Sequence, residues 1–120
     1  MIPPKPHHKL DAWKEAMALV RTVYEATRDF PVEETYALTS QLRRAAVSIP
    51  SNVAEGAGRS GRKKFLRFLG IARGSLSELE TQLLIAADLG YLAREHRAFV
   101  SLDRVSRLLT GLHKKLAALR

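Results

Sequence analysis

The sequence predicts an all-α fold, a single-domain antiparallel up-down-up-down four-helix bundle. Three observations predict it. Apolar residues recur three and four apart through four separate stretches, the breaks between those stretches fall at proline or glycine, and no stretch alternates apolar and polar residues as a half-buried strand would. The chain of 120 residues is the size of one domain, and 46% hydrophobic with 27% charged residues is a globular composition.

Residues 1–9 carry three prolines and two histidines without an apolar period, which predicts a flexible N-terminal arm ahead of a bundle domain over residues 10–120. Leu10, Trp13, Met17, Val20, Tyr24 and Thr27 are spaced 3, 4, 3, 4, 3 and predict one stripe along a first helix. Phe30-Pro31 ends that helix, because the residue before a proline is pushed out of the helical region. Pro31, Glu33 and Glu34 then suit the entry to a second helix over about residues 35–55. Leu38, Leu42, Ala45, Ala46, Ile49 and Val53 share one face of it, and Val47, Pro50 and Ala54 form a strip on another. A helix apolar on two sides is expected to be buried on two sides, which makes Val47, Pro50 and Ala54 candidates for contact with another subunit.

Pro50 removes one backbone bond to Ala46 and predicts a kink, with Ser48 or Ser51 placed to satisfy the freed carbonyl. Residues 56–61 supply the next break. A third helix follows from Arg62 to about Gly90, with Phe65, Phe68, Leu69, Ala72, Leu76, Leu79, Leu83, Ala86 and Ala87 on its core face. Gly70 and Gly74 lie one turn apart on a different face; since a mid-helix glycine costs about 1 kcal/mol relative to alanine, the pair suggests a site where another backbone comes close. Gly90 closes the helix. The fourth, from about Arg94 onward, carries a heptad seam of Ala98, Leu102, Val105, Leu109, Leu112, Leu116 and Leu119.

Several function classes are excluded by what is missing. The longest uncharged stretch, residues 45–54, is too short to span a bilayer, and the start MIPPKPHHKLD lacks the apolar region of a secretion signal. There are no cysteines, hence no disulfides and no thiolate metal site; His7 and His8 alone are too few ligands for a metal, and no cofactor is indicated. A cytoplasmic protein is expected. The net charge of +8 favours polyanionic partners, because neutralising phosphates releases counterions.

Gln41, Arg44, Ser48, Asn52 and Glu55 are spaced 3, 4, 4, 3 on one strip of the second helix, and Arg73, Ser77 and Glu80 fall on one strip of the third. A hydrolase would use Ser48 as nucleophile, yet no histidine lies near it in sequence to act as base. The expected role is a structural polar seam, with Arg44 or Arg73 pairing across helices to Glu55, Glu78 or Glu80. Residues 56–63, GAGRSGRK, approach a phosphate loop, but Arg62 and Lys63 stand where Lys and then Ser or Thr are required, and a helix precedes the run. Nucleotide hydrolysis is rejected on that ground. Arg59, Arg62, Lys63, Lys64 and Arg67 nonetheless put five cations into nine residues at a helix start, which suits either phosphate-backbone contact or a solvated basic turn. Arg94, Arg97, Arg104 and Arg107 form a second basic set, with Lys114 and Lys115 further on and no interleaved aromatics.

SQLRRAAVSIPSNVAEG and ARGSLSELE, within a match over about residues 10–83, resemble the small four-helix bundle proteins encoded in intervening sequences of bacterial 23S ribosomal RNA genes. The resemblance implies a ring-like homopentamer with a basic surface for RNA or DNA. A non-enzymatic protein is expected. A related branch, the accessory variability proteins of diversity-generating retroelements, implies a reverse transcriptase or other protein as an alternative partner. The matching positions are Gln41, Arg43, Arg44, Ser48, Asn52, Glu55, Gly56, Arg73, Ser75, Glu78 and Glu80, for none of which does the resemblance imply catalysis.

Overall fold

Four amphipathic stretches joined by short breaks leave the chain one economical way to cover its apolar faces, which is to fold back on itself at each break. The structure, a computed structural model, describes residues 2–119. A 3-10 turn at Pro6–Lys9 leads into α1 (Asp11–Thr27), a second at Val32–Glu34 precedes α2 (Leu38–Gly58), and α3 (Arg62–Asp88) and α4 (Arg97–Ala117) follow. Each helix packs on the next, α1 closes against α4, and neither diagonal pair comes together among the described residues. That is the ring of neighbours an up-down-up-down bundle requires, and its long dimension is 48 Å.

The core is built from Leu19, Leu42, Ile49, Leu69, Leu79, Leu83 and Leu109, all fully buried, with Val23, Val53 and Val105 between them. Burial of each such side chain stabilises the fold by about 1.5–3 kcal/mol. On α2, α3 and α4 the buried rows are those the periodicity predicts, except that Phe65, Phe68, Ala87, Leu112 and Leu116 are only half-buried and Leu119 is exposed.

Helix α1 departs from expectation. Ala12, Ala16, Leu19, Val23 and Thr27 face the core, whereas Met17 and Tyr24 of the expected stripe are 47% and 40% exposed and Trp13 and Val20 half-buried. Two apolar rows run along this helix. The row with two alanines goes inside because it lets α1 approach its neighbours closely, and the bulkier row is left on the rim of a groove.

Helix ends have local causes. α3 stops at a Schellman motif: Gly90 has φ +82°, its N–H donates to Ala87 O at 3.0 Å, and the Tyr91 N–H donates to Ala86 O at 2.9 Å. His96 caps α4, its Nδ1 accepting from the Ala98 N–H at 3.0 Å. Helix α2 runs on to Gly58, three residues beyond its expected end, so the break is only residues 59–61. Inside α2, neither serine satisfies Ala46 O. Ser51 Oγ donates instead to Val47 O and Asn52 Nδ2 to Ser48 O, each at 2.8 Å, because a side chain reaches the carbonyl four residues before its own position.

Candidate nucleic-acid interface

The basic residues separate into three groups once their partners are known. Arg62, at the start of α3, donates through one guanidinium nitrogen to the carbonyls of Leu116 and Ala117, each at 3.3 Å, and of Leu119. These carbonyls lie in the last turn of α4 and just beyond it, at the helix's negative end, where a cation is most favourable. Arg62 is therefore a helix cap and not an open phosphate ligand, and it pins the α3 start to the α4 end.

That junction brings together residues more than forty positions apart in sequence. Lys63, Lys64 and Arg67 on α3 and Lys114 and Lys115 on α4 all lie exposed beside it, and none forms an ion pair among the described residues. Arg59, at the same end, is held by Glu55 at 2.7 Å, and it lies 5.4 Å from the centroid of the Phe68 ring. Arg67 approaches that ring at 6.0 Å.

The arginines of the second basic set are differently placed. Arg94 pairs with Asp88, Arg97 with Glu25, Arg104 with Glu15 at 3.6 Å and Arg107 with Asp103. They form a solvated lattice of exposed pairs, each worth a fraction of a kcal/mol. A phosphate would have to displace a carboxylate from each.

The polar seam exists but is smaller than expected. Ser48 Oγ meets Ser75 Oγ across the α2–α3 contact at 2.7 Å, and Asn52 Nδ2 reaches Ser48 Oγ at 2.9 Å. Glu55 turns to Arg59 on its own helix, and Gln41, Arg44, Arg73, Glu78 and Glu80 are exposed with no cross-helix ion pair among the described residues. With hydroxyl and amide as its side-chain neighbours, Ser48 has no general base at hand. Among the described residues no group of His, Cys, Asp and Glu has the arrangement of a metal site. No helix there is long and apolar enough to cross a membrane.

The two expected contact strips also differ from each other. Gly70 and Gly74 are exposed, a Cβ at either would meet nothing within 4 Å, and they edge a groove with Arg73, Ser77, Ser106 and Thr110. No backbone among the described residues approaches them. Close approach occurs instead at buried Gly56, where a Cβ would sit 2.8 Å from Phe68 Cβ and 3.0 Å from Phe65 Cδ1. Val47 and Ala54, by contrast, join Met17, Val20, Trp13 and the buried Pro50 in a largely apolar α1/α2 groove of about 400 Å³. The last residues of the expected arm edge that groove. Their 3-10 turn places the rings of His7 and His8 5.2 and 4.8 Å from Trp13. Burial, with the nearby His8 and Lys5 charges, holds His7 below its ordinary pKa.

The family model of the 23S rRNA-intervening sequence proteins matches residues 8–111, nearly all of the bundle. The chain belongs to that family. Among solved structures, a protein of unknown function from the S23 ribosomal protein family of Bacteroides thetaiotaomicron is similar over 88% of this chain and 94% of its own, with a TM-score of 0.64 and 19% identity. At that identity the likeness shows a shared fold. No curated protein matches it. The family match includes the α4 arginines and ends before Lys114 and Lys115, so the second half of the basic junction lies outside it.

Proposed function

We propose that this family member is a non-enzymatic, homo-oligomeric bundle, pentameric by its resemblance, that binds RNA or other nucleic acid through phosphate-backbone electrostatics. The observation that carries the reading is the junction of α3 and α4, where Lys63, Lys64, Arg67, Lys114 and Lys115 stand exposed around the Arg62 cap with no ion pair among the described residues. Unpaired surface cations release phosphate counterions without first losing a carboxylate, and this distinguishes them from the paired arginines of α4. The family's name, which ties its members to ribosomal RNA genes, supports RNA as the first polyanion to try.

A second reading rests on the apolar α1/α2 groove, which favours protein contact: another copy of the chain, or a partner such as a reverse transcriptase for which the bundle serves as adaptor. A salt series separates the two. Binding of a short single-stranded RNA should weaken with a log-log slope of about −0.7 per neutralised phosphate, and Lys63→Gln with Lys64→Gln should flatten it by about 1.4. Absence of RNA binding at about 50 mM salt refutes the first reading and leaves the second.

A further inference from the structure

Near the other end of the α1/α2 groove lies a cavity of about 570 Å³, within the range of small-ligand sites, and it is chemically unlike its apolar neighbour. Its lining includes Tyr24, Tyr36, Thr39, Arg43, Arg44 and Val47. Tyr36 is 97% exposed, an unusual position for a large aromatic ring with no packing role. Arg43 lies over the Tyr24 ring at 4.5 Å and donates through Nε to Thr27 Oγ1 at 2.9 Å, so this aromatic–guanidinium stack is already built. Arg44 is exposed and forms no ion pair among the described residues.

The geometry points to a nucleotide site here: an unstacked base lies against Tyr36 and the Arg43–Tyr24 stack, and its phosphate is taken by Arg44. Aromatic rings, guanidinium planes and hydroxyls are the groups that hold single-stranded bases, because every base has a π-face and a hydrogen-bonding edge. Glu34, a carboxylate close in sequence, is already engaged by the Leu38 N–H and the Tyr91 phenol. The ligand may be described by one chemistry, a base with a phosphate, that both a free nucleotide and a single-stranded RNA supply. The site goes beyond the backbone reading above, which needs no base contact and concerns the opposite end of the bundle.

The test uses the full chain with adenosine 5′-monophosphate and, separately, a short single-stranded RNA. Binding is followed by amide shifts of residues 35–44 and by titration calorimetry, and oligomer mass by light scattering. Expected are nucleotide-induced shifts confined to this cavity, and an affinity loss of about tenfold for Tyr36→Ala that Tyr36→Phe restores. Shifts with the mononucleotide assign a free-nucleotide site; shifts and a Tyr36→Ala loss with RNA alone assign the strand. If neither probe shifts these amides, or Tyr36→Ala binds as the parent does, the site is refuted, while the Lys63 and Lys64 salt slope still judges the backbone reading. If Tyr36→Ala lowers oligomer mass without changing nucleotide binding, the cavity is a subunit contact and the inference is overturned.

Discussion

Replacing Gly56 by alanine tests the closest helix contact in the bundle. Gly56 is buried in α2, and an added Cβ would lie 2.8 Å from Phe68 Cβ, 3.0 Å from Phe65 Cδ1 and 3.3 Å from Phe65 O. Two of those three atoms cannot swing aside, since a Cβ and a carbonyl oxygen move only with their backbone. Relief therefore requires α2 and α3 to separate, an overpacking penalty of about 2–3 kcal/mol. Alanine recovers about 1 kcal/mol of helix propensity, which leaves a net destabilisation of about 1–2 kcal/mol. The control is Gly74→Ala, on an exposed turn of α3 where the Cβ meets nothing within 4 Å; there only the propensity gain applies, a stabilisation of about 0.5–1 kcal/mol. Urea unfolding at one fixed protomer concentration measures both, and with m of about 2 kcal/mol/M the midpoint should fall by about 0.5–1 M for Gly56→Ala and rise by about 0.25–0.5 M for Gly74→Ala. If Gly56→Ala is as stable as the parent, α2 and α3 are farther apart than described and the account of this seam is wrong.

Three further outcomes are expected. The Tyr91 phenol donates to Glu34 Oε2 at 3.0 Å, and that bond, then burial and the Glu34 and Glu33 charges, raises it above the ordinary value of 10.0. A raised acid stabilises the fold below pH 10 and loses that contribution as pH climbs through the folded-state value, so tyrosinate absorbance should show one late titration that Tyr91→Phe removes; three tyrosines titrating together refute it. His7 is held below 6.5, so its contribution to the N-terminal turn is present above that pH and lost as pH falls through the lowered value. The His7 imidazole resonance should titrate below 6.5, with emission of Trp13, the one tryptophan, following it; a midpoint at or above 6.5 contradicts the packing described. The uncharged pair Met17→Gln and Val47→Gln should reduce oligomer mass on light scattering without unfolding the bundle, as both side chains are over 40% exposed; unchanged mass places the subunit contact elsewhere.

Fold class and helix order were legible in the sequence because the signals behind them are local. The 3.6-residue period, the Phe30-Pro31 stop and the Gly90 stop act within a turn of where they are read. What could not be read was choice among equivalent local options. Helix α1 offers two apolar rows, and which one enters the core depends on how closely α2 and α4 approach, a tertiary quantity. The glycines pose the same problem: Gly56, Gly70 and Gly74 all lie within helices, and only Phe65 and Phe68 across the seam single out Gly56. Charge was the least legible. The Glu55–Arg59 and Asp103–Arg107 pairs follow from i,i+4 spacing, but Glu25–Arg97 and Glu15–Arg104 join distant helices, and so does the Arg62 cap on α4. A basic run in sequence thus gave the count of cations without saying which were already engaged.

That distinction bears on how assembly and binding depend on each other. The cations with no ion pair among the described residues stand at the end of the bundle where α3 begins and α4 ends, whereas the partly exposed apolar rim of Trp13, Met17, Val20, Val47 and Ala54 runs along its side. Copies joined through that side in one rotational sense would carry their basic ends on a single face. One cluster of five cations gives weak, salt-sensitive attraction, but several on one face engage one strand at high effective concentration. On the proposed function, then, the uncharged Met17→Gln and Val47→Gln pair should weaken RNA binding by tenfold or more without removing a cation. Loss of oligomer mass with undiminished RNA affinity would show that each bundle end binds alone, and that assembly contributes nothing to recognition.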